Sequence, residues 1–307
     1  IDVGTIFDAY PVDVVIVDDA VQNDDEDEVR DMFLRLQNGT TLKAQEKRNA
    51  MPGQMRDFVK EIAQHPFFEN CKFSNSRFTF DHIAAQITCL ELGGGPVSVR
   101  DSDLNRMYDR NRKFDVGGTE AKKVRRVLDY LLKAFPETTP ELERYNVITL
   151  YCLVSTLIEK YVHYDTEKLV ADWFIRFETA RRKQEDLPEE QRDSQLIEYR
   201  RLTSYSTDGE DSIRGRLEYI EKQFFLACPD IPTIDGIRAF THEQRLAIFR
   251  RDDGRCQLRI RCEGEKLGWG DWHADHILPH SQGGKTTVSN GQVACIACNT
   301  AKGNTKE

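Results

Sequence analysis

Four of the eight cysteines lie near the C-terminus with a spacing that suits a metal ion. Cys295 and Cys298 form a Cys-x2-Cys pair, and Cys256 and Cys262 precede them with a wider spacing. Two thiolates separated by two residues can reach one tetrahedral zinc ion, and the earlier pair can complete its ligand set. We therefore predict a structural Zn²⁺ site, without which this small region would not fold. A redox role for the four thiols is the alternative.

Between these cysteine pairs lie the side chains that hydrolysis of a phosphodiester requires. His276 titrates near neutral pH when unperturbed, so its neutral imidazole can take a proton from water. Asp275 offers a hard oxygen ligand to Mg²⁺ or Mn²⁺, and Asn299 offers a second one. Asn290 lies in the connecting loop, where its amide can hold the strand that carries the base. The pattern predicts a catalytic site distinct from the zinc site.

One geometric difficulty concerns the adjacent pair Asp275 and His276. Side chains alternate along a strand, so regular geometry sends these two to opposite faces. A bend near Pro279, followed by the flexible pair Gly283 and Gly284, would bring them together. The alternative is a zinc-ribbon module that binds DNA without cleaving it, in which the Asp-His pair only caps a loop.

Three basic residues are predicted to contact DNA. Lys302 follows Asn299 by three residues, which places both on one helix face and would aim the ammonium group at a phosphate. Arg255 and Arg259 belong to the densest basic stretch of the chain, residues 250–261, which suits phosphate contacts. A solvated surface is the alternative explanation for this stretch.

The charge is unevenly distributed along the 307 residues. The net charge of −9 argues against a protein that coats nucleic acid in general. Residues 231–307 carry 11 Lys and Arg against 9 Asp and Glu, so the excess of acid lies upstream. No apolar run is long enough to span a bilayer and no signal peptide is recognisable, so we expect a cytoplasmic protein without a membrane partner.

Helical periodicity dominates the region before this C-terminal segment. It predicts helices within 83–90, 124–135, 148–161, 169–177 and 213–225, and a short one at 243–249. A strand is predicted at 14–18, and a helix follows the acidic run at 24–28. The charged segment 181–211 is either a solvated helix or a mobile excursion. We place a domain boundary near Pro232, so residues 1–232 form a mostly helical sensor or regulatory domain and residues 233–307 the second domain.

The C-terminal motifs, in their order along the chain, resemble the HNH endonuclease family. Residues 250–303 carry the four cysteines, Asp-His, Pro, Gly-Gly, Asn and then Cys-x2-Cys-Asn-x2-Lys-Gly. The resemblance implies a ββα-metal fold with Asp275 and Asn299 as ligands of the catalytic cation, His276 as general base and Asn290 as the orienting residue. Asn299 replaces the final histidine of the family, a variation common in its zinc-knuckle branch.

A second resemblance covers the beginning of the chain. Residues 31–39 and 42–50, the second of which includes Glu46 to Ala50, resemble the latter half of a ParB/sulfiredoxin-like domain, expected over residues 1–60. Such domains occur in GmrSD-type modification-dependent restriction enzymes and related antiphage nucleases. Their upstream Asp-Gly-Gln-Arg nucleotide motif is absent. Either this copy has lost the motif, or the motif preceded Ile1 in a longer chain. A nucleotide ligand is expected only in the second case.

We therefore expect a mainly α protein with a small α/β remnant at its N-terminus and a zinc-stapled ββα-metal domain at its C-terminus. Its expected activity is metal-dependent cleavage of DNA, as effector of a restriction or antiphage system directed at foreign or modified DNA. A homo-oligomer or a defence partner subunit is expected. The alternatives are a non-catalytic zinc-dependent DNA-binding module and an HNH nuclease that acts on RNA.

Overall fold

A computed structural model describes residues 42–162 and 165–304 of the chain. The strand predicted at 14–18 and the helix predicted after residues 24–28 lie outside the described residues, as does most of the segment that resembles a ParB/sulfiredoxin-like domain. Up to residue 227, the described part is built from α-helices and short 3₁₀ turns. In chain order the α-helices are α1 (Ala44–Asn49), α2 (Gln54–Ile62), α3 (Thr79–Leu92), α4 (Asp101–Arg110), α5 (Thr119–Ala134), α6 (Arg144–Lys160), α7 (Glu167–Lys183), α8 (Ser194–Ser204) and α9 (Glu210–Ala227).

Helices α3 and α6 lie at the centre of this helical region. In α6 every residue from Asn146 to Val154 is buried, and in α3 the stretch from Ile83 to Thr88 is buried without a break. A helix that is enclosed on all sides must be surrounded by other helices, and here α5 packs against both α3 and α6. One continuous hydrophobic core results, which extends from Met51 to Cys228.

The predicted helices within 83–90, 124–135, 148–161, 169–177 and 213–225 are all present. Helix α3 ends at Leu92, where Gly94 and Gly95 adopt φ values of 69° and 144° that other residues rarely adopt. Periodicity did not indicate α1, α2 and α4. Helix α4, for example, buries only Leu104, Met107 and Tyr108, too few apolar positions for a clear pattern.

The charged segment 181–211 contains helix α8. Asp193 caps it by accepting hydrogen bonds from the backbone amides of Gln195 and Leu196. Tyr199 is 1% exposed and anchors the helix against Phe177 and Tyr219. This segment is therefore a solvated helix with one aromatic anchor.

A ββα unit closes the described chain. Helix α10 (His242–Arg251), predicted from the sequence at 243–249, begins with a capping box between Thr241 and Gln244. Strands β1 (His273–His276) and β2 (Gly291–Ala294) pair antiparallel, and α11 (Ile296–Lys302) follows directly. Its two small hydrophobic clusters, around the cysteines and around Trp272, are separate from the helical core.

These elements confirm a mainly α chain with a small C-terminal ββα unit. The boundary near Pro232 stays a prediction. None of the described helices combines the length and apolar character that crossing a bilayer requires.

Candidate active site and metal centre

The two strands place Asp275 and His276 at one end of the ββα unit. Asp275 is paired with Gln292, and His276 is paired with Gly291. Position 291 must be glycine, because a Cβ atom there would overlap the side chain of Ile248 on α10 and approach Phe240 Cε1 to 3.0 Å. The β1–β2 ladder is therefore pressed closely against α10 on the side of His276.

The imidazole of His276 is held by an aromatic ring and a hydroxyl group. Its ring centroid lies 4.5 Å from that of Phe240, and its Nε2 lies 3.0 Å from Thr286 Oγ1. Burial, followed by the positive charge of His280, lowers the pKa of His276. The neutral imidazole, the form that can accept a proton, is therefore favoured.

Thr286 connects this imidazole to the segment that precedes α10. Its hydroxyl donates to the carbonyl oxygen of Ile237, and its backbone amide donates to Asp235 Oδ2 over 2.9 Å. Since the single hydroxyl proton goes to Ile237, Thr286 Oγ1 is left as acceptor for a proton on His276 Nε2. This arrangement selects the tautomer with its lone pair on Nδ1.

Asp275 is oriented by two side chains that both reach the same oxygen. Lys302 Nζ lies 2.6 Å from Asp275 Oδ2, and Gln292 Nε2 donates to that oxygen over 2.9 Å. Among the residues of the described ranges, no hydrogen bond to the other oxygen, Oδ1, is found. One carboxylate oxygen is thereby fixed by protein, which leaves the second for a ligand.

The structure places Lys302, which is predicted to contact a DNA phosphate, against Asp275, and its contact with DNA stays a prediction. Its side chain is 1% exposed, and its ammonium group also contacts the carbonyl oxygen of His276 at 2.5 Å. Lys302 does lie on the same face of α11 as Asn299, but that face is turned toward β1. In this position the ammonium group of Lys302 contacts a carboxylate and a carbonyl oxygen and orients Asp275.

Asn299 and Asn290 have different surroundings. Asn299 Nδ2 lies 3.0 Å from His273 Nδ1, an arrangement that leaves the amide oxygen to a further partner. Asn290 Oδ1 accepts from the backbone amide of Leu278 at 2.9 Å, and its Nδ2 donates to the carbonyl oxygens of Leu278 and Lys285. Asn290 therefore fixes the backbone two residues after His276. Its predicted role as orienting residue stays a prediction.

Four cysteines form a cluster beside this site. All four Sγ atoms of Cys256, Cys262, Cys295 and Cys298 lie within 4.8 Å of one another. Cys262 Sγ is 3.9 Å from Cys295 Sγ and 3.6 Å from Cys298 Sγ. Tetrahedral zinc with Zn–S bonds of about 2.3 Å separates its sulfur ligands by about 3.8 Å. The donor set therefore fits a structural zinc ion.

Backbone amides around the cluster favour the thiolate form of its cysteines. Backbone hydrogen bonds from Glu265 and Gly264 lower the pKa of the Cys262 thiol. Backbone amides also point at sulfur, as in the 3.1 Å contact from Arg261 N to Cys298 Sγ. Such amide–sulfur bonds support thiolate ligands, and a cation would keep all four deprotonated.

Arg255 and Arg259 are predicted to contact DNA. Arg255 lies between the end of α10 and Cys256, and Arg259 follows Cys256 by three residues. Both are exposed, and neither lines the cleft that contains His276. Arg255 lies 3.6 Å from Asp253 in an ion pair. Their predicted contact with DNA stays a prediction.

Asp275, His276 and Asn299 line one cleft of about 910 Å³. The strand is regular, since Asp275 contacts Lys302 on α11 while His276 contacts Phe240 on the opposite side. A bend near Pro279 is not needed to bring the two side chains to one site, because the cleft borders both faces of β1. The opposite wall comes from the helical region and includes Arg126 and Lys133 of α5.

Comparison with known proteins identifies the ββα segment. Residues 256–305 match the family model described as HNH endonuclease. No curated protein and no solved structure matches the chain significantly. The C-terminal segment is thus an HNH domain, which supports a nuclease of that family. This match covers the four cysteines, Asp275, His276, Asn290 and Asn299.

Sequence reasoning missed the hydrogen-bond partners of the two central residues. Gln292 faces Asp275 because β1 and β2 pair in this register. A prediction of the strand register from the sequence would have placed Gln292 beside Asp275. Thr286 carries no such signal, since its neighbour Thr287 has the same side chain. The contacts of Thr286 with Asp235, Ile237 and His276, which the fold creates, distinguish it from Thr287.

Replacement of Lys302 tests its assignment to Asp275. We expect Lys302→Met to lower the free energy of unfolding by about 2 kcal/mol, because the Asp275 carboxylate, 13% exposed, loses its cation. Urea denaturation followed by tryptophan fluorescence measures this loss, and the double variant Asp275→Asn/Lys302→Met should recover part of it. Unchanged stability with weaker, less salt-dependent DNA binding would instead support a phosphate contact.

Proposed function

We propose that the HNH domain is a metal-dependent endonuclease that hydrolyses phosphodiester bonds of DNA. The observation that carries this proposal is the convergence of Asp275, His276 and Asn299 on one cleft within the segment that matches HNH endonucleases. The four-thiolate cluster has no open position for a substrate, so it would serve folding, and the catalytic cation would be a separate ion.

The oxygen atoms that remain available fit Mg²⁺ or Mn²⁺. Asp275 Oδ1 and the amide oxygen of Asn299 are hard donors, and both residues line the cleft. A divalent cation held there would neutralise charge that builds up on the phosphate and stabilise the leaving oxygen. Lys302 and Gln292 hold Asp275 so that its second oxygen stays directed away from them.

His276 would act as the general base. Its Nδ1 takes the proton of the attacking water, because Nε2 already donates to Thr286 Oγ1. Thr286 is then a positioning residue that acts through His276 and does not touch the substrate. The lowered pKa of His276 keeps the imidazole neutral and able to accept that proton.

The hydroxyl group of Thr286 can be removed with little change in shape. We expect Thr286→Val to lower kcat about tenfold, equivalent to about 1.4 kcal/mol, because His276 Nε2 and the Ile237 carbonyl lose their partner. KM for DNA should stay unchanged, since no substrate contact is lost. Thr286→Ser, which keeps the hydroxyl, should retain most of the activity; equal losses in both variants would exclude the tautomer role.

Conversion of supercoiled plasmid tests the proposed activity. The full chain should convert it to nicked or linear forms with Mg²⁺ or Mn²⁺ and not when these cations are omitted from the buffer. Absence of cleavage with every divalent ion, together with retained DNA binding, would favour a zinc-dependent DNA-binding module. Cleavage of labelled RNA in place of DNA would assign the other nucleic acid as substrate.

We infer in addition that this nuclease restricts foreign or modified DNA, as a homo-oligomer or with a partner subunit. Support comes from the resemblance of residues 42–50 to ParB/sulfiredoxin-like domains of restriction and antiphage nucleases. Cells that express the chain should reduce phage plaque formation, and the His276→Ala variant should not. Equal plaque numbers with and without the active chain would count against a defence role.

A further inference from the structure

The wall of the cleft that faces the HNH domain belongs to the helical region. Arg126 and Lys133 of α5 both line the cleft that contains Asp275 and His276. Both side chains are exposed, and within residues 42–162 and 165–304 neither forms an ion pair or a side-chain hydrogen bond. Arg238, in the segment between the two regions, lines the same cleft and is also exposed.

Two acidic residues share this wall with the two cations. Glu159 forms an ion pair with Lys123, which does not line the cleft and which also pairs with Glu91, so its charge is compensated in part. Glu167 is the first residue of α7, where the positive end of the helix dipole favours a carboxylate. Arg126 and Lys133, by contrast, are exposed cations without an ion pair among the described residues.

Their spacing matches a nucleic acid backbone. Lys133 follows Arg126 by seven positions, which is two turns of α5 and about 10 Å along its axis. Phosphates of one DNA strand rise about 3.4 Å per step along the duplex axis and also wind around it, so two long side chains about 10 Å apart can reach phosphates one or two steps apart. A strand whose scissile phosphate lies at His276 would bring neighbouring phosphates to this wall.

We propose that Arg126 and Lys133 bind backbone phosphates that flank the cleaved bond, so that the helical region forms one side of the DNA-binding site. The inference rests on the proposed nuclease function. It adds a substrate contact in a region more than a hundred residues before the segment that matches the HNH family. Phosphate contacts of this kind position the strand and carry no base specificity.

The test is the salt dependence of DNA binding by the full chain. A fluorescent duplex is titrated without added divalent cation, for the wild type and for Arg126→Ala/Lys133→Ala. Loss of two phosphate contacts should reduce the slope of log K against log salt concentration by about 2. In cleavage assays KM should rise while kcat at saturating DNA stays the same, because the lost contacts stabilise bound substrate and transition state equally.

The matched control is Arg110→Ala/Lys113→Ala, which removes the same two charge types from exposed positions of the helical region outside the cleft. It should leave the slope unchanged. An unchanged slope in the cleft variant, or an equal reduction in the control, would overturn the inference. Failure of the wild type to bind or cleave DNA would instead overturn the proposed function, and the two failures are therefore distinguishable.

Discussion

Replacement of His276 by alanine should reduce plasmid cleavage by a factor of about 10² to 10⁴ while leaving DNA binding intact. The imidazole of His276 lines the cleft, its neutral form can take a proton from water, and its burial favours that form. Asp275 and Asn299 would still hold the cation, so residual cleavage above the metal-free rate is expected. Rates of nicking under single-turnover conditions measure the effect.

A second histidine of the same domain serves as control. His242 begins α10, is exposed and does not line the cleft. His242→Ala should cleave at the wild-type rate, and both variants should give the circular dichroism spectrum of the wild type. Cleavage by His276→Ala at the wild-type rate, at equal folding, would falsify the assignment of the base.

Replacement of Cys298 by serine should unfold the HNH domain and leave the helical region folded. Zinc binding to four thiolates contributes on the order of 10 kcal/mol to the folding of small domains. The two hydrophobic clusters here are small, so little else stabilises the ββα unit. The helical region has its own continuous core and does not depend on the metal.

Two spectroscopic signals separate the regions. Trp269 and Trp272 have ring centroids 5.6 Å apart and report on the HNH domain, so their near-ultraviolet circular dichroism should vanish while the helical far-ultraviolet signal remains. Elemental analysis should find zinc in the wild type and in Cys89→Ser, a control in the helical core, and not in Cys298→Ser. A folded, zinc-free Cys298→Ser variant that still cleaves DNA would show that the cluster does not hold the domain together.

Much of the fold could be predicted because it depends on local patterns. The apolar positions of α5, α6 and α9 recur at helical spacing, and three glycines follow the last residue of α3. Helix α4 was missed because most of its surface is charged and its burial depends on neighbouring helices. Residues 1–41 lie outside the described residues, so the strand and helix predicted there stay predictions.

The candidate site was predictable as a set of residues but not as a set of contacts. Spacing placed Lys302 on the face of Asn299, yet it could not show that this face packs on β1. Alternation correctly assigned Asp275 and His276 to opposite faces, whereas a cleft that borders both faces follows only from the tertiary arrangement. Thr286 and the wall formed by Arg126 and Lys133 depend on segments far apart in sequence, which no local pattern connects.

The hydrogen bond from the Thr286 hydroxyl to Ile237 bears on how such a domain could be exchanged between proteins. Ile237 and Asp235 precede the family match, which begins at residue 256, and the neighbouring Ile234 amide donates to Lys160 of α6. A segment that began at residue 256 would contain the cysteines, Asp275, His276 and Thr286. It would lack Ile237, whose carbonyl oxygen accepts the hydrogen bond that fixes the Thr286 hydroxyl. The structural unit that positions His276 therefore extends upstream of residue 256, into the segment that joins it to α6.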